Sequence, residues 1–245
     1  MSLSPIAIIC HAGCEPPGYL CSYFDRRDVH YIKVNILENM LSGDDLKTFS
    51  GIILMGGPYS VYDNYAWIND EKQLIRKAIN QKIPMMGVCF GAQLISKVLG
   101  AKVTPAEKME AGWHTIKADT SLLKHTHPLK LKNSFEVFEW HEDTFTIPDG
   151  AIPIFKGKDT KNQGYVFDNI LAMQFHLEMT EHMVSKWIER YKECLPKRLG
   201  SIYSYQEISD QLDERIDKLH SVADKIYDWW LESILNRDNK LKIDE

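Results

Sequence analysis

The chain has 245 residues, 44% of them hydrophobic and 26% charged, with a formal net charge of −5. That composition suits one large soluble α/β domain, or one domain with an appendage. The acidic balance argues against a nucleic-acid footprint, which needs a basic face, and no apolar run reaches membrane-spanning length.

Short apolar runs recur early: PIAIIC (5–10), VHYIKVN (29–35), GIILMGG (51–57) and PMMGVC (84–89). Between the last two, NDEKQLIRKAINQKI places Leu74, Ile75, Ala78 and Ile79 on one helical face. Strands alternating with helices predict a doubly wound, mostly parallel sheet flanked by helices. AKVTP, HTIKA, FEVFEWH, AIPIFK, GYVFD and ILAMQFH then read as six further strands. TEHMVSKWIERYKECL reads as a helix capped by Thr180. Leu195-Pro196 closes that domain, giving 1–196 for the domain and 197–245 for a helical C-terminal extension. In the extension an apolar stripe including Ile208, Leu212, Ile216, Leu219, Trp229 and Trp230 predicts one amphipathic helix over 206–235, packed on its own domain.

Five cysteines (Cys10, Cys14, Cys21, Cys89, Cys194) form an odd, scattered set expected to be reduced thiols. The opening MSLSPIAIICHAG has no basic region followed by a long apolar stretch, so no signal peptide is expected and the reading is cytoplasmic. Cys10-His11-Ala12-Gly13-Cys14 lacks a second ligand pair at zinc spacing, so no metal or cofactor is assigned.

The informative stretch is PMMGVCFGAQLISKVLG (84–100), a buried strand running directly into a helix. Cys89 stands at the join with Gly87 and Gly91 two residues to either side. Such a turn exposes its central residue at the carboxyl edge of the sheet, and the helix N-terminus favours the thiolate. Taken alone, a buried structural cysteine is the commoner case. A nucleophile needs a base and the base an orienting group; His176 and Glu178, two apart at a strand end, supply both on one face. Oxyanion donors are expected from the Phe90 N–H and from the Gly56-Gly57-Pro58 loop.

GVCFGAQL, MGGPYSVYDN and QFHLEMT resemble the three motifs of class I glutamine amidotransferases. HAGCEPPGYL, EAGWHTI, FEWHEDTFTIPDGA and NQGYVF are similar to stand-alone members related to the amidotransferase domain of GMP synthase. The resemblance implies that Cys89 attacks the glutamine γ-amide, His176 shuttles the proton and Glu178 orients it. It further implies that Gly57 and Phe90 hold the oxyanion. Gly56, Gln93 and the backbone near Trp140 and His141 bind the glutamine end, with His141 and Asp143 at the rim. Leu177 stands where the family usually has proline, and the strand-end position should accept either. The implied partners are glutamine or another γ-glutamyl small molecule, a separate synthase subunit, or a second copy of the chain in a homodimer. A γ-glutamyl peptidase acting on glutathione-like compounds shares the mechanism; a non-catalytic glutamine-binding regulator is the alternative of another class.

Overall fold

Four strands with almost continuous burial form the centre of the sheet: β1 (Ile6–Cys10), β3 (Gly51–Leu54), β4 (Met85–Val88) and β9 (Ile170–Met173). Strands read as unbroken apolar runs when both faces are covered, and here the side chains divide by parity. Ile8, Ile53, Met86 and Leu171 pack on one face, Ile9, Ile52, Met85 and Ile170 on the other. The computed structural model describes residues 4–39, 41–121, 123, 129–191, 200–202 and 204–241. Cys194, Leu195-Pro196 and the expected 196/197 boundary lie outside the described residues.

The remaining strands are β2 (Tyr31–Asn35), β5 (Val103–Ala118), β6 (Ser134–Phe145), β7 (Ile152–Lys156), β8 (Asn162–Phe167) and β10 (Gly200–Ile202). One ten-stranded mixed sheet runs β10-β5-β7-β8-β9-β4-β3-β1-β2, with β6 paired to β5. From β2 to β9 the pairings are parallel; β5, β6, β7, β8 and β9 pair antiparallel. The AKVTP and HTIKA segments, expected as two strands, are the ends of β5. An irregularity between Pro105 and Glu110 lets one strand follow β6 across both.

Helices α2 (Ala66–Asn80) and α3 (Phe90–Val98) cover one face. The other is covered by α1 (Tyr19–Arg26), α4 (Glu181–Tyr191) and two C-terminal helices, α5 (Tyr205–Ser209) and α6 (Leu212–Leu241). Thr180 caps α4 as expected, its hydroxyl accepting from the Met183 N–H at 3.2 Å. The single helix expected over 206–235 is broken. Ser204 and Glu207 form a capping box that starts α5, and Gln211, at φ +50°, ends it before α6 begins. The stripe of α6 does face its own domain: Leu219, Ile226, Trp230 and Ile234 share the core of β1, β3 and β4. Its polar edge bonds α1 through Tyr19–Asp224 and Tyr23–Asp228, both 2.7 Å.

Candidate active site

The carboxyl ends of β1, β3, β4 and β9 lie along one edge of the sheet, where doubly wound folds place their ligands. At that edge Cys89 caps α3 with φ +48° and ψ −110°, a strained conformation for a residue with a Cβ. Its neighbours have to be glycine. A Cβ on Gly91 would meet the Leu54 carbonyl oxygen at 2.2 Å, and one on Gly87 would meet the Ala92 backbone at 2.8 Å. The Cys89 N–H donates to the Met173 carbonyl at 2.8 Å, tying the turn to β9. The thiol donates to the Trp140 carbonyl at 3.9 Å and accepts from Gln174 Nε2 at 3.7 Å.

Three residues beyond β9, His176 bridges back to β6, its N–H donating to the Phe138 carbonyl at 2.9 Å. Its Nδ1 donates to Glu178 Oε1 at 2.7 Å. The ring stands edge-on to Trp187 with centroids 5.2 Å apart, and the Trp187 indole is anchored to the Cys14 carbonyl at 2.9 Å. Nε2 makes no hydrogen bond of ordinary geometry, and the imidazole is electrostatically coupled to the Cys89 thiol. Burial alone would lower the His176 pKa, but the adjacent Glu178 carboxylate and the thiol hold it well above the usual histidine value. Burial likewise pushes the Cys89 thiol up, more than His176 pulls it down. The helix N-terminus was expected to favour the thiolate; in the folded chain burial acts against it and the neighbouring His176 acts with it.

Cys89 borders a cleft of about 410 Å³. Gly57, Cys89, Gln93, Trp140, His141 and Asp143, expected at the site, all line it. Phe90 supplies a helix-N-terminal N–H beside the thiol while its ring packs into the core against His11. Gln93 Nε2 donates to the Asp143 carbonyl at 3.1 Å and to Gln174 Oε1 at 3.3 Å. The Asp143 carboxylate accepts from the Ser60 hydroxyl at 2.7 Å, clasping the loop after β3 to β6. His141 is deeper than the rim position expected: it is buried, with Nδ1 on the Asp143 carbonyl at 2.9 Å and Nε2 on Glu110 Oε2 at 3.0 Å.

Two residues were missed. Trp187, inside the helix read from TEHMVSKWIERYKECL, was given no role at the site, although its ring packs edge-on against the imidazole. Glu15, after β1, also lines the cleft. A Cβ on Gly56 would lie 2.7 Å from Glu15 Oε2, 3.0 Å from His176 Cε1 and 3.7 Å from Cys89 Cβ, so these three side chains converge over that glycine. Burial raises the Glu15 pKa to about 7, partly opposed by His176. His11 and Glu71 form a buried pair at 2.9 Å, and His11 Nδ1 donates to the Gly56 carbonyl at 3.1 Å, fixing the loop.

Fold and site together define a doubly wound α/β protein with a cysteine, a histidine and a glutamate gathered at the carboxyl edge of its parallel strands. Residues 19–189 match the family model for glutamine amidotransferase class-I. A glutamine amidotransferase-like protein of Acanthamoeba polyphaga mimivirus is 28% identical over 85% of this chain and 90% of its own. A glutamine-hydrolysing GMP synthase subunit of Sulfolobus acidocaldarius is 31% identical over 63% of this chain and 79% of its own. Against the GMP synthase of Campylobacter hominis, 35% identical, the match spans only 28% of that longer protein. The crystal structure of a glutamine amidotransferase from Methylobacillus flagellatus superposes with a TM-score of 0.84 at 30% identity, covering 95% of this chain and 96% of that one. The chain belongs to the class I glutamine amidotransferase family. Among the described residues, no helix is long and apolar enough to cross a membrane.

Proposed function

We propose that this chain hydrolyses the γ-amide of glutamine through a thioester on Cys89 and releases ammonia. The carrying observation is the convergence over Gly56 of His176, fixed by Glu178 at 2.7 Å, and of Cys89 on a strained strand-to-helix turn. In this reading His176 Nε2 takes the thiol proton as sulfur bonds the amide carbon, and Glu178 stabilises the imidazolium. The oxyanion is received by the N–H groups of Phe90 and Gly57. The imidazolium then protonates the leaving nitrogen, which departs as ammonia. A water deprotonated by His176 next adds to the thioester, releasing glutamate and restoring the thiol. Acidic side chains in the cleft (Glu15, Asp63, Asp143) suit the α-ammonium of an amino acid, while Gln93 and the Trp140–His141 backbone hold the glutamine end. A separate synthase subunit is the proposed consumer of the ammonia, and the free Cys10, Cys14, Cys21 and Cys89 suit a reducing cytoplasm.

Incubation with glutamine should release ammonia and glutamate in equal amounts, and a glutamine-like chloroketone should abolish turnover while labelling Cys89 alone. Mass mapping of the labelled peptide reads the site, and labelling at Cys14 or Cys21 instead would overturn the assignment. γ-Glutamyl peptides run in parallel separate amidase from peptidase: amine release from them, with glutamine inert, would replace the substrate while keeping the mechanism.

A further inference from the structure

Beneath the wall of the cleft, the β5–β6 hairpin brings together three buried ligand-bearing side chains. Glu110 and His141 are cross-strand partners, and Glu139 lies two residues before His141, so all three project from one face. Each is at most 4% exposed. Their ligand atoms lie within 4.8 Å of one another.

The hydrogen bonding of His141 determines what its inward nitrogen can be. Nδ1 sits 2.9 Å from the Asp143 backbone carbonyl, which can only accept, so Nδ1 carries a proton. In the neutral ring Nε2 is then a lone pair, aimed at Glu110 Oε2 at 3.0 Å and Glu139 Oε2 at 3.4 Å. Such a convergence in a dry interior calls for a positive charge, and a second proton on the ring would answer Glu110 alone, at hydrogen-bond distance from Nε2. Glu139 sharpens the point: it is fully buried, and neither of its oxygens has a hydrogen-bond partner. A ring N–H does not satisfy it, because the 3.4 Å approach of His141 lacks hydrogen-bond geometry. Coordination needs no such alignment, only a shared centre. Ligands about 2.1 Å from an ion stand about 3.0 Å apart at right angles and about 3.4 Å apart in a tetrahedron, matching the two spacings.

We propose that Glu110, Glu139 and His141 bind one divalent transition-metal ion, with zinc the best fit to this nitrogen–oxygen set. The surroundings are those of a metal centre. His141 donates its outer N–H to a backbone carbonyl, the usual support for a ligating imidazole. Glu110 Oε2 is oriented by Gln163 Nε2 at 2.9 Å. His114 Nδ1, 3.5 Å from Glu110 Oε1, and the exposed Asp159 extend the donors towards solvent and give an entry path. The ion would pin the strand segment whose Trp140 carbonyl faces the thiol, so its role is to hold the cleft wall. No step of the amide hydrolysis passes through it. Spacing rules for Cys/His pairs miss this set because its members meet only through strand register.

The test uses the full chain carrying Cys89→Ser, so that the thiol and His176 cannot hold an ion together. The protein is stripped with chelator, incubated with zinc, desalted and assayed for metal content and melting temperature. The expected result is about one zinc retained per chain with a raised melting temperature. Both gains should be lost on adding Glu139→Gln, which keeps the shape of the side chain. Cobalt substituted for zinc should give weak visible absorption without a thiolate charge-transfer band. Failure of the Cys89→Ser chain to retain zinc would overturn the proposal whatever the folding of the second variant. Undiminished retention in a folded Glu139→Gln protein, or a thiolate band with cobalt, would overturn it equally.

Discussion

Replacing Trp230 by alanine tests whether α6 is integral to the fold. The Trp230 side chain is 1% exposed. Its ring lies over Gly51 at the start of β3, and its Nε1 donates to the Met85 carbonyl at 3.2 Å, at the start of β4. Truncating a buried tryptophan to alanine costs about 3–5 kcal/mol through lost transfer energy and the cavity left behind. The broken hydrogen bond adds about 1 kcal/mol. A total of about 4–6 kcal/mol is a large share of the roughly 5–15 kcal/mol that stabilises a natural domain. At about 2–4 °C per kcal/mol for a chain of this size, the melting temperature should fall by roughly 10–20 °C. Differential scanning fluorimetry and urea denaturation measure this, with Leu235→Ala, at an exposed position on the same helix, as the control expected within about 0.5 kcal/mol of the parent. A Trp230→Ala protein melting within about 4 °C of the parent would show that α6 rests on the sheet without contributing to its stability.

Loss of the imidazole in His176→Ala should lower kcat for glutamine at least about 100-fold, and Glu178→Gln by less, because the carboxylate orients a base that remains; steady-state ammonia release reads both, and a fully active His176→Ala enzyme refutes the mechanism. Glu15 binds its proton more tightly folded (about 7, against 4.5 for the free group), so its stabilising effect is complete below pH ~4.5 and is lost as pH rises through ~7. Urea denaturation at pH 5 and pH 8 should show up to about 3 kcal/mol of this loss in the parent and none of it in Glu15→Gln; equal slopes in both proteins would contradict the assignment. Leu177→Pro, acceptable from strand position alone, exchanges a fully buried side chain for a smaller ring and should cost about 1–2 kcal/mol. An unchanged melting curve would show that the pocket around Leu177 closes without cost.

What could be read in the sequence was whatever neighbours along the chain dictate. β1, β3 and β4 announce themselves as unbroken apolar runs because helices cover both of their faces. The Cys89 turn is legible because the crowding it creates falls on positions two residues away, and only glycine fits there. His176 and Glu178 are two apart, so strand alternation alone pairs them. The partly hidden features depend on distant residues. Glu15 reaches the site only because β1 lies beside β3, and Trp187 only because α4 packs back across His176. The break at Gln211 was invisible in an apolar stripe that continues through it in near-perfect phase. The burial that opposes the thiolate at Cys89 was hidden for the same reason: helix ends can be read locally, whereas burial is a property of the finished fold.

The strand order also fixes when the thiol can become reactive. β9, the strand leading to His176, is the neighbour of β4 and therefore of Cys89, yet the whole stretch from α3 to β8 separates them in the chain. Cys89 is therefore made well before His176, and the growing chain passes through lengths at which the thiol has no imidazole beside it. The last helix then fastens onto the first, Asp224 to Tyr19 across 205 positions. Under the mechanism proposed above, a nascent or prematurely ended chain would carry a cysteine without its base, and turnover would begin only on closure of the fold.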